Sequence, residues 1–318
     1  MDIYQSIVDY VSTVPLTERW PKIPTLFARA ASRRPRHWRL PLLSCEAVGG
    51  SLEQAVPAVT AIGCLHISIL LVDDLLDADI RGEHHRLGQP ATANLAIAFQ
   101  AAGLAAVAQS NVAPLSKLAM MVSLNKMMLT TAIGQYLDVQ NTYDEETYWQ
   151  LVRLKSAPFF GAALQIGAIL GSGTNQYMAE QIKQVGQLYG EMIQVHDDLN
   201  DTLTVPANSD WTLGRMPLPI LFASLVNHPD RDRFIHLRNS ITDPDALAEA
   251  QTILIRSGAV SYCLDQLLSK SKVAREILAG TSLVHHEKLD NLLREIVSPV
   301  QRLLSIKGID YHGSQLEI

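Results

Sequence analysis

The sequence predicts an all-α protein formed as one domain over residues 1–318. Three observations carry that expectation. Apolar residues recur at helical spacing through most of the chain, and no run alternates apolar with polar residues as a half-buried strand would. Apolar residues make up 47% of the chain and aromatic ones only 6%, so the core is built from Leu, Ile, Ala and Val. Neither a GxGxxG turn nor a P-loop, the glycine signatures of nucleotide-binding α/β folds, occurs anywhere.

Taken in order, residues 1–30 read as two short helices split by Pro15 and by Pro21 and Pro24. Residues 31–39 are basic, with Arg33, Arg34, Arg36 and Arg39, and read either as a solvated loop or as a phosphate-facing rim. Pro41 opens a helix that Gly49 and Gly50 stop. Residues 62–79 form the next helix, apolar on every side until its acidic end, which predicts burial on all faces. A loop over 80–94 follows, broken by Gly82, Gly88 and Pro90; His84 and His85 within it point apart and read as a solvated pair. Helices are expected over 95–109 and 115–140. The stretch 87–116 has no formal charge, but its Gln and Asn residues favour a buried helix over a membrane span. A helix over 145–171 should kink near Lys155, because Pro158 removes a backbone donor. A turn at 171–174 precedes a helix at 181–196. Residues 201–219 lack helical period and read as a lid or binding loop, and helices near 244–257, 260–279 and 284–305 complete the chain.

Chemistry concentrates in two acidic clusters. Asp73 and Asp77 are i and i+4, one above the other on one helix face, with Asp74 and Asp79 beside them. Like charges at that spacing repel by roughly 0.2–0.5 kcal/mol, so the arrangement does not stabilise a helix. It suits a hard divalent cation, and Mg2+ is usual where phosphate is present. An acidic helix end dipping into solvent is the plainer account, but Asp197, Asp198 and Asp201 repeat the spacing after another helix. Two such clusters can hold several metal ions around a diphosphate. Asp138 is a further carboxylate among apolar neighbours. Lys155, at the expected kink, can turn inward toward an anion.

The net charge of -6 and pI near 5.9 argue against a nucleic-acid surface. Cys45, Cys64 and Cys263 show neither zinc spacing nor a disulfide framework, so a reducing cytoplasm is expected. The N-terminal stretch lacks a basic region, so no leader is expected.

With these residues in place the chain resembles the trans-isoprenyl diphosphate synthases, the polyprenyl synthetase family, from about residue 37 to 225. The resemblance implies an all-α barrel of the isoprenoid synthase type, a homodimer, with three Mg2+ ions on the diphosphate of an allylic substrate. The allylic diphosphate ionises, isopentenyl diphosphate attacks the cation, and proton loss leaves a longer chain. Asp73, Asp74 and Asp77 match the first aspartate motif, and Asp197, Asp198 and Asp201 the second. His66 matches a histidine that holds isopentenyl diphosphate, and Arg86 the arginine on the allylic diphosphate. GQYLDV supplies Gln135 and Asp138, the latter a further candidate metal ligand. Lys155 with Ser156 matches a Lys-Thr pair, Gln194 the glutamine before the second motif, and Arg215 a lysine of the late loop.

The departures fall on one side. Where the family has a Lys/Arg grip for isopentenyl diphosphate, alignment on Pro41 puts His37, Trp38 and Leu40, and Leu87 replaces a second arginine. Arg33, Arg34, Arg36 or Arg39 could compensate if the loop runs differently. Ser68 and Ile69, five and four residues before Asp73, are not aromatic, so the resemblance implies a product of about twenty carbons or more; Ser68→Phe should shorten it. Two alternatives stay open: a terpene cyclase or a prenyltransferase to a different acceptor, and a non-catalytic partner subunit.

Overall fold

The computed structural model describes residues 2–77, 79–138, 144–173 and 175–306. Gln140 at the end of one expected helix and Thr174 of the expected turn lie outside them. The described regular structure is helical, with no strand: α1 (Ile3–Val11), α2 (Lys22–Ser32), α3 (Leu40–Ala47), α4 (Leu52–Leu76), α5 (His84–Leu87), α6 (Gln89–Ala108), α7 (Pro114–Asp138) and α8 (Glu145–Lys155). Then come α9 (Ala157–Ser172), α10 (Gln176–Leu203), α11 (Ser209–Thr212), α12 (Leu218–Leu225), α13 (Arg231–Leu237), α14 (Pro244–Arg256), α15 (Ala259–Ala279) and α16 (Glu287–Ile306). The all-α expectation holds.

Two compact units are distinguished. The first takes in the described residues of Met1–Leu129, Phe159–Gly186 and Leu278–Asp290. Its axis is α4, against which α1, α2, α3 and α6 pack. Helix α4 begins ten residues before the sequence suggested, because Ser51 and Gln54 form a reciprocal capping box that satisfies two of the first-turn backbone donors. From Ala55 to Ser68 nearly every side chain is buried, as the all-round apolar sequence requires. Close approach is set by small residues. A Cβ on Gly103 of α6 would lie 3.1 Å from the Ala61 carbonyl oxygen of α4. Trp38 and Phe27 stack at 5.1 Å in the same core.

The second unit takes in the described residues of Thr130–Pro158, Gln187–Ile277 and Asn291–Ile318. Its own core gathers Trp211, Ile220, Phe234, Leu247 and Leu254. Gly134 on α7 has no room for a side chain, since a Cβ there would collide with the Leu154–Lys155 backbone of α8. That contact brings Asp138 beside Lys155.

Several prolines act as starters rather than breakers. Pro24 sits in the first turn of α2, and Pro90 at the start of α6, where a missing N–H costs nothing. Residues 89–94 are therefore helical, not loop. The kink falls where Pro158 puts it, with Ser156 between α8 and α9. Leu52–Leu76, Gln89–Ala108 and the run Glu145–Ser172 are long and apolar enough to cross a membrane; 78%, 44% and 67% of their most apolar windows are buried in protein, so α6 is less enclosed than its sequence suggested.

Candidate functional site

Both aspartate clusters occupy the last turns of long helices, α4 and α10. The C-terminal end of a helix carries partial negative charge, so carboxylates there are unfavourable without a cation. Asp77 caps α4 through its N–H to the Asp73 carbonyl, at 2.9 Å. Asp73, Asp74 and Asp77 are all half-buried. Desolvation, and then the like charges of Asp79 and Asp73, push the Asp74 carboxyl above its usual range.

In the first unit, His66 is held by Trp38, whose indole N–H donates to His66 Nδ1 at 2.9 Å. A ring that accepts at Nδ1 is neutral and carries its hydrogen on Nε2. Phe159 lies 5.1 Å from the same ring. Burial, and then His37, depress the His66 pKa to about 4. Arg36 and Arg39 face elsewhere, outward from the 3₁₀ turn Arg36–Arg39, onto a separate cavity shared with Arg34, Glu46 and Lys288. Trp38 itself is only 1% exposed. Arg34, Arg36 and Arg39 thus share a cavity that does not include His66.

Arg86 is exposed and pairs with Glu83 at 3.2 Å; Glu83 also binds Arg29. Leu87 lies on the same small cavity and packs against the first unit's core. His84 is buried with its ring 4.2 Å from that of His85, so the pair is not simply solvated: the short helix α5 turns the rings together. Ser68 is buried and its hydroxyl donates to the Ala96 carbonyl of α6 at 2.9 Å; it is a packing residue between α4 and α6. Ile69, next to it, is half-buried.

The second unit contains a cavity of about 120 Å³ lined by Asp138, Lys155, Ser156, Gln194, Asp198 and Arg215, among others. Lys155 is ion-paired with Asp138, and Arg215 lies 3.6 Å from Asp210. Gln135 is buried on α7. Ser156 donates to Gln194 Oε1 at 2.6 Å, and Gln194 Nε2 donates to Asp198 at 2.8 Å. Tyr148 and the Leu218 N–H also donate to Asp198, whose burial pushes its pKa up to about 6. Asp197 and Asp201, by contrast, are exposed, as residues on a different face of α10.

The loop 204–217 is pinned rather than open. Trp211 is buried and its indole donates to the Thr202 carbonyl at 3.0 Å, while Arg238 donates to the Gly214 and Arg215 carbonyls. Sequence reasoning missed Tyr148, Asp210, Trp211 and Arg238. Tyr148 had a signal, since it stands seven residues before Lys155 on the same helix face. The other three sit in segments without period.

Among the described residues, no group of three or more His, Cys, Asp and Glu side chains is gathered closely enough to hold a metal ion. That matches how Mg2+ is usually held, by one or two carboxylates plus substrate phosphates rather than by a protein cage. Asp73 with Asp77 and Asp197 with Asp201 are the i, i+4 carboxylate pairs of the two clusters.

An all-helical frame with paired aspartates at two helix ends, and lysine and arginine on a polar cavity, defines a protein of the isoprenoid synthase type. The family model described as polyprenyl synthetase matches residues 29–254. The chain is 32% identical to a short chain isoprenyl diphosphate synthase of Methanothermobacter thermautotrophicus over 255 residues, covering 75% of this chain and 78% of that protein. It is 25% identical to a geranylfarnesyl diphosphate synthase of Aeropyrum pernix, covering 92% and 96%. A geranylgeranyl pyrophosphate synthetase from Pyrococcus horikoshii matches in structure with a TM-score of 0.77 and 23% identity, covering 93% of this chain and 94% of that one, a likeness that establishes the fold. The chain belongs to the polyprenyl synthetase family, and it is a prenyltransferase, an isoprenyl diphosphate synthase by kind.

Proposed function

We propose that this synthase ionises an allylic diphosphate with Mg2+ and condenses it with isopentenyl diphosphate to a product of about twenty carbons or more. The observation that carries the reading is the pair of aspartate clusters at helix C-termini, where a bound cation would offset both the like charges and the helix dipole. Asp73, Asp77, Asp197 and Asp201 would hold the metal, three ions in all. Bound there, it would neutralise the charge that develops on the leaving diphosphate. Lys155 and Arg215 add fixed positive charge to the polar cavity of the second unit, and Arg86 adds it in the first. The two units act as one catalytic domain in this reading, in the cytoplasm. An apolar stripe on α7, with Leu115, Leu118, Val122 and Leu129 exposed, supports a homodimer.

The test is diphosphate release. Asp73→Asn and Asp197→Asn should each lower the rate by about a hundredfold or more and raise the Mg2+ requirement. Wild-type rates from both variants at the same Mg2+ would defeat the assignment.

A second reading, an acceptor other than isopentenyl diphosphate, is favoured by one observation: Trp38 fills the place of a cation and leaves His66 neutral. Leu87→Arg separates the two. Leu87 is half-buried on the rim of the Arg86 cavity, so an arginine there can reach solvent. If Leu87 marks a degenerate isopentenyl diphosphate site, restoring the arginine should raise isopentenyl diphosphate use about tenfold, the 1.4 kcal/mol of one charge-assisted contact. No gain would weaken this second reading.

A further inference from the structure

The three residues of the second aspartate motif are alike in sequence but not in surroundings. Asp198 is 5% exposed, and Asp197 and Asp201 on either side are open. Asp198 Oδ2 accepts from the Tyr148 hydroxyl at 2.7 Å and from the Leu218 N–H at 2.8 Å. Its Oδ1 accepts from Gln194 Nε2 at 2.8 Å. Three of a carboxylate's roughly four acceptor sites are thus taken by protein donors. Asp198 also lies on a different face of α10 from Asp197 and Asp201, which are i and i+4 to one another.

The chain continues outward. Gln194 Oε1 accepts from Ser156 Oγ at 2.6 Å, so the single Ser156 hydrogen is committed inward. Turning the Gln194 amide over would set its oxygen against the Asp198 carboxylate. The carboxylate therefore fixes the direction of both bonds, and Ser156 meets the cavity only with lone pairs.

We propose that Asp198 is a positioning residue rather than a metal ligand: it sets the polarity of the Ser156–Gln194–Asp198 chain and, through Leu218, anchors the end of the loop that carries Arg215. The inference rests on the diphosphate-enzyme reading only for what the cavity binds.

Asp198→Asn tests the polarity alone. The amide oxygen can keep the Tyr148 and Leu218 bonds. The amide nitrogen meets Gln194, which turns over and offers its own nitrogen to Ser156, freeing the Ser156 hydrogen toward the cavity. Calorimetric titration of Mg2+ with inorganic diphosphate should give Asp198→Asn a half-saturation within about twofold of wild type, while Asp197→Asn raises it about tenfold or more. Turnover of Asp198→Asn should fall about tenfold, and adding it to Ser156→Ala should cost nothing further, as for residues acting in series. Asp198→Ala, which loses the anchor, should speed hydrogen exchange at the Leu218 amide. A Mg2+ half-saturation raised in Asp198→Asn as in Asp197→Asn, a loss additive with Ser156→Ala, or unchanged exchange at Leu218 would each overturn the proposal. If the wild-type protein binds no Mg2+ with diphosphate, the functional reading fails instead, and the Leu218 exchange still decides the anchor.

Discussion

His66 shows what a matched residue does not reveal by itself. Its position seven residues before Asp73 matches the family's histidine, but its surroundings are set by Trp38, which donates to its Nδ1, and by burial beside Phe159. The neutral ring has a consequence for stability. The folded pKa, about 4, lies below the ordinary value of 6.5, so the contribution is complete above pH 6.5 and is lost as pH falls toward 4. Subtracting the pH–stability curve of His66→Gln from that of wild type should leave a loss confined to that window; a flat difference would contradict the neutral ring. The aspartates carry the same lesson. Spacing treats Asp197, Asp198 and Asp201 as one set, and only the packing of Tyr148 and Leu218 against one face of α10 separates the buried member from the open pair.

At the scale of elements, most of the helices were legible, because apolar period and proline placement are local properties. The boundaries that moved did so for reasons of chain chemistry. The capping box of Ser51 and Gln54 extends α4 backward, and Pro24 and Pro90 initiate helices they were expected to break. The stretch 201–219 reads as a lid or binding loop because it lacks period, although α10 runs on to Leu203, α11 takes Ser209–Thr212 and α12 starts at Leu218. Its anchors, Trp211 on Thr202 and Arg238 on the 214–215 carbonyls, join residues nine and more than twenty positions apart, beyond the reach of helical or strand period. Gly134 was legible only as part of GQYLDV. Its reason is the Lys155 backbone lying against it, and this tests how the cavity is built. Gly134→Ala should destabilise the protein by about 1–3 kcal/mol through overpacking and reduce turnover by moving Asp138 away from Lys155. A denaturation midpoint equal to wild type would show that the helices are not in close contact there.

For the whole molecule, the exposed stripe on α7 and the proposed chemistry make separate claims. Leu118→Arg with Val122→Glu puts charges into the stripe, and sedimentation of the pair variant should show a monomer where wild type sediments as a dimer; an unchanged dimer would place the interface elsewhere. In the proposed reading the departures at Trp38 and Leu87 concern only the acceptor, so the most direct test of the account is a product assay. The protein would be given Mg2+ and allylic diphosphates of about ten, fifteen and twenty carbons, each with and without isopentenyl diphosphate, and the products would be read by mass spectrometry. The account predicts diphosphate release together with elongated diphosphates of about twenty carbons or more, formed only when isopentenyl diphosphate is present. Hydrocarbon or alcohol from the allylic substrate alone, with no elongated product, would contradict it.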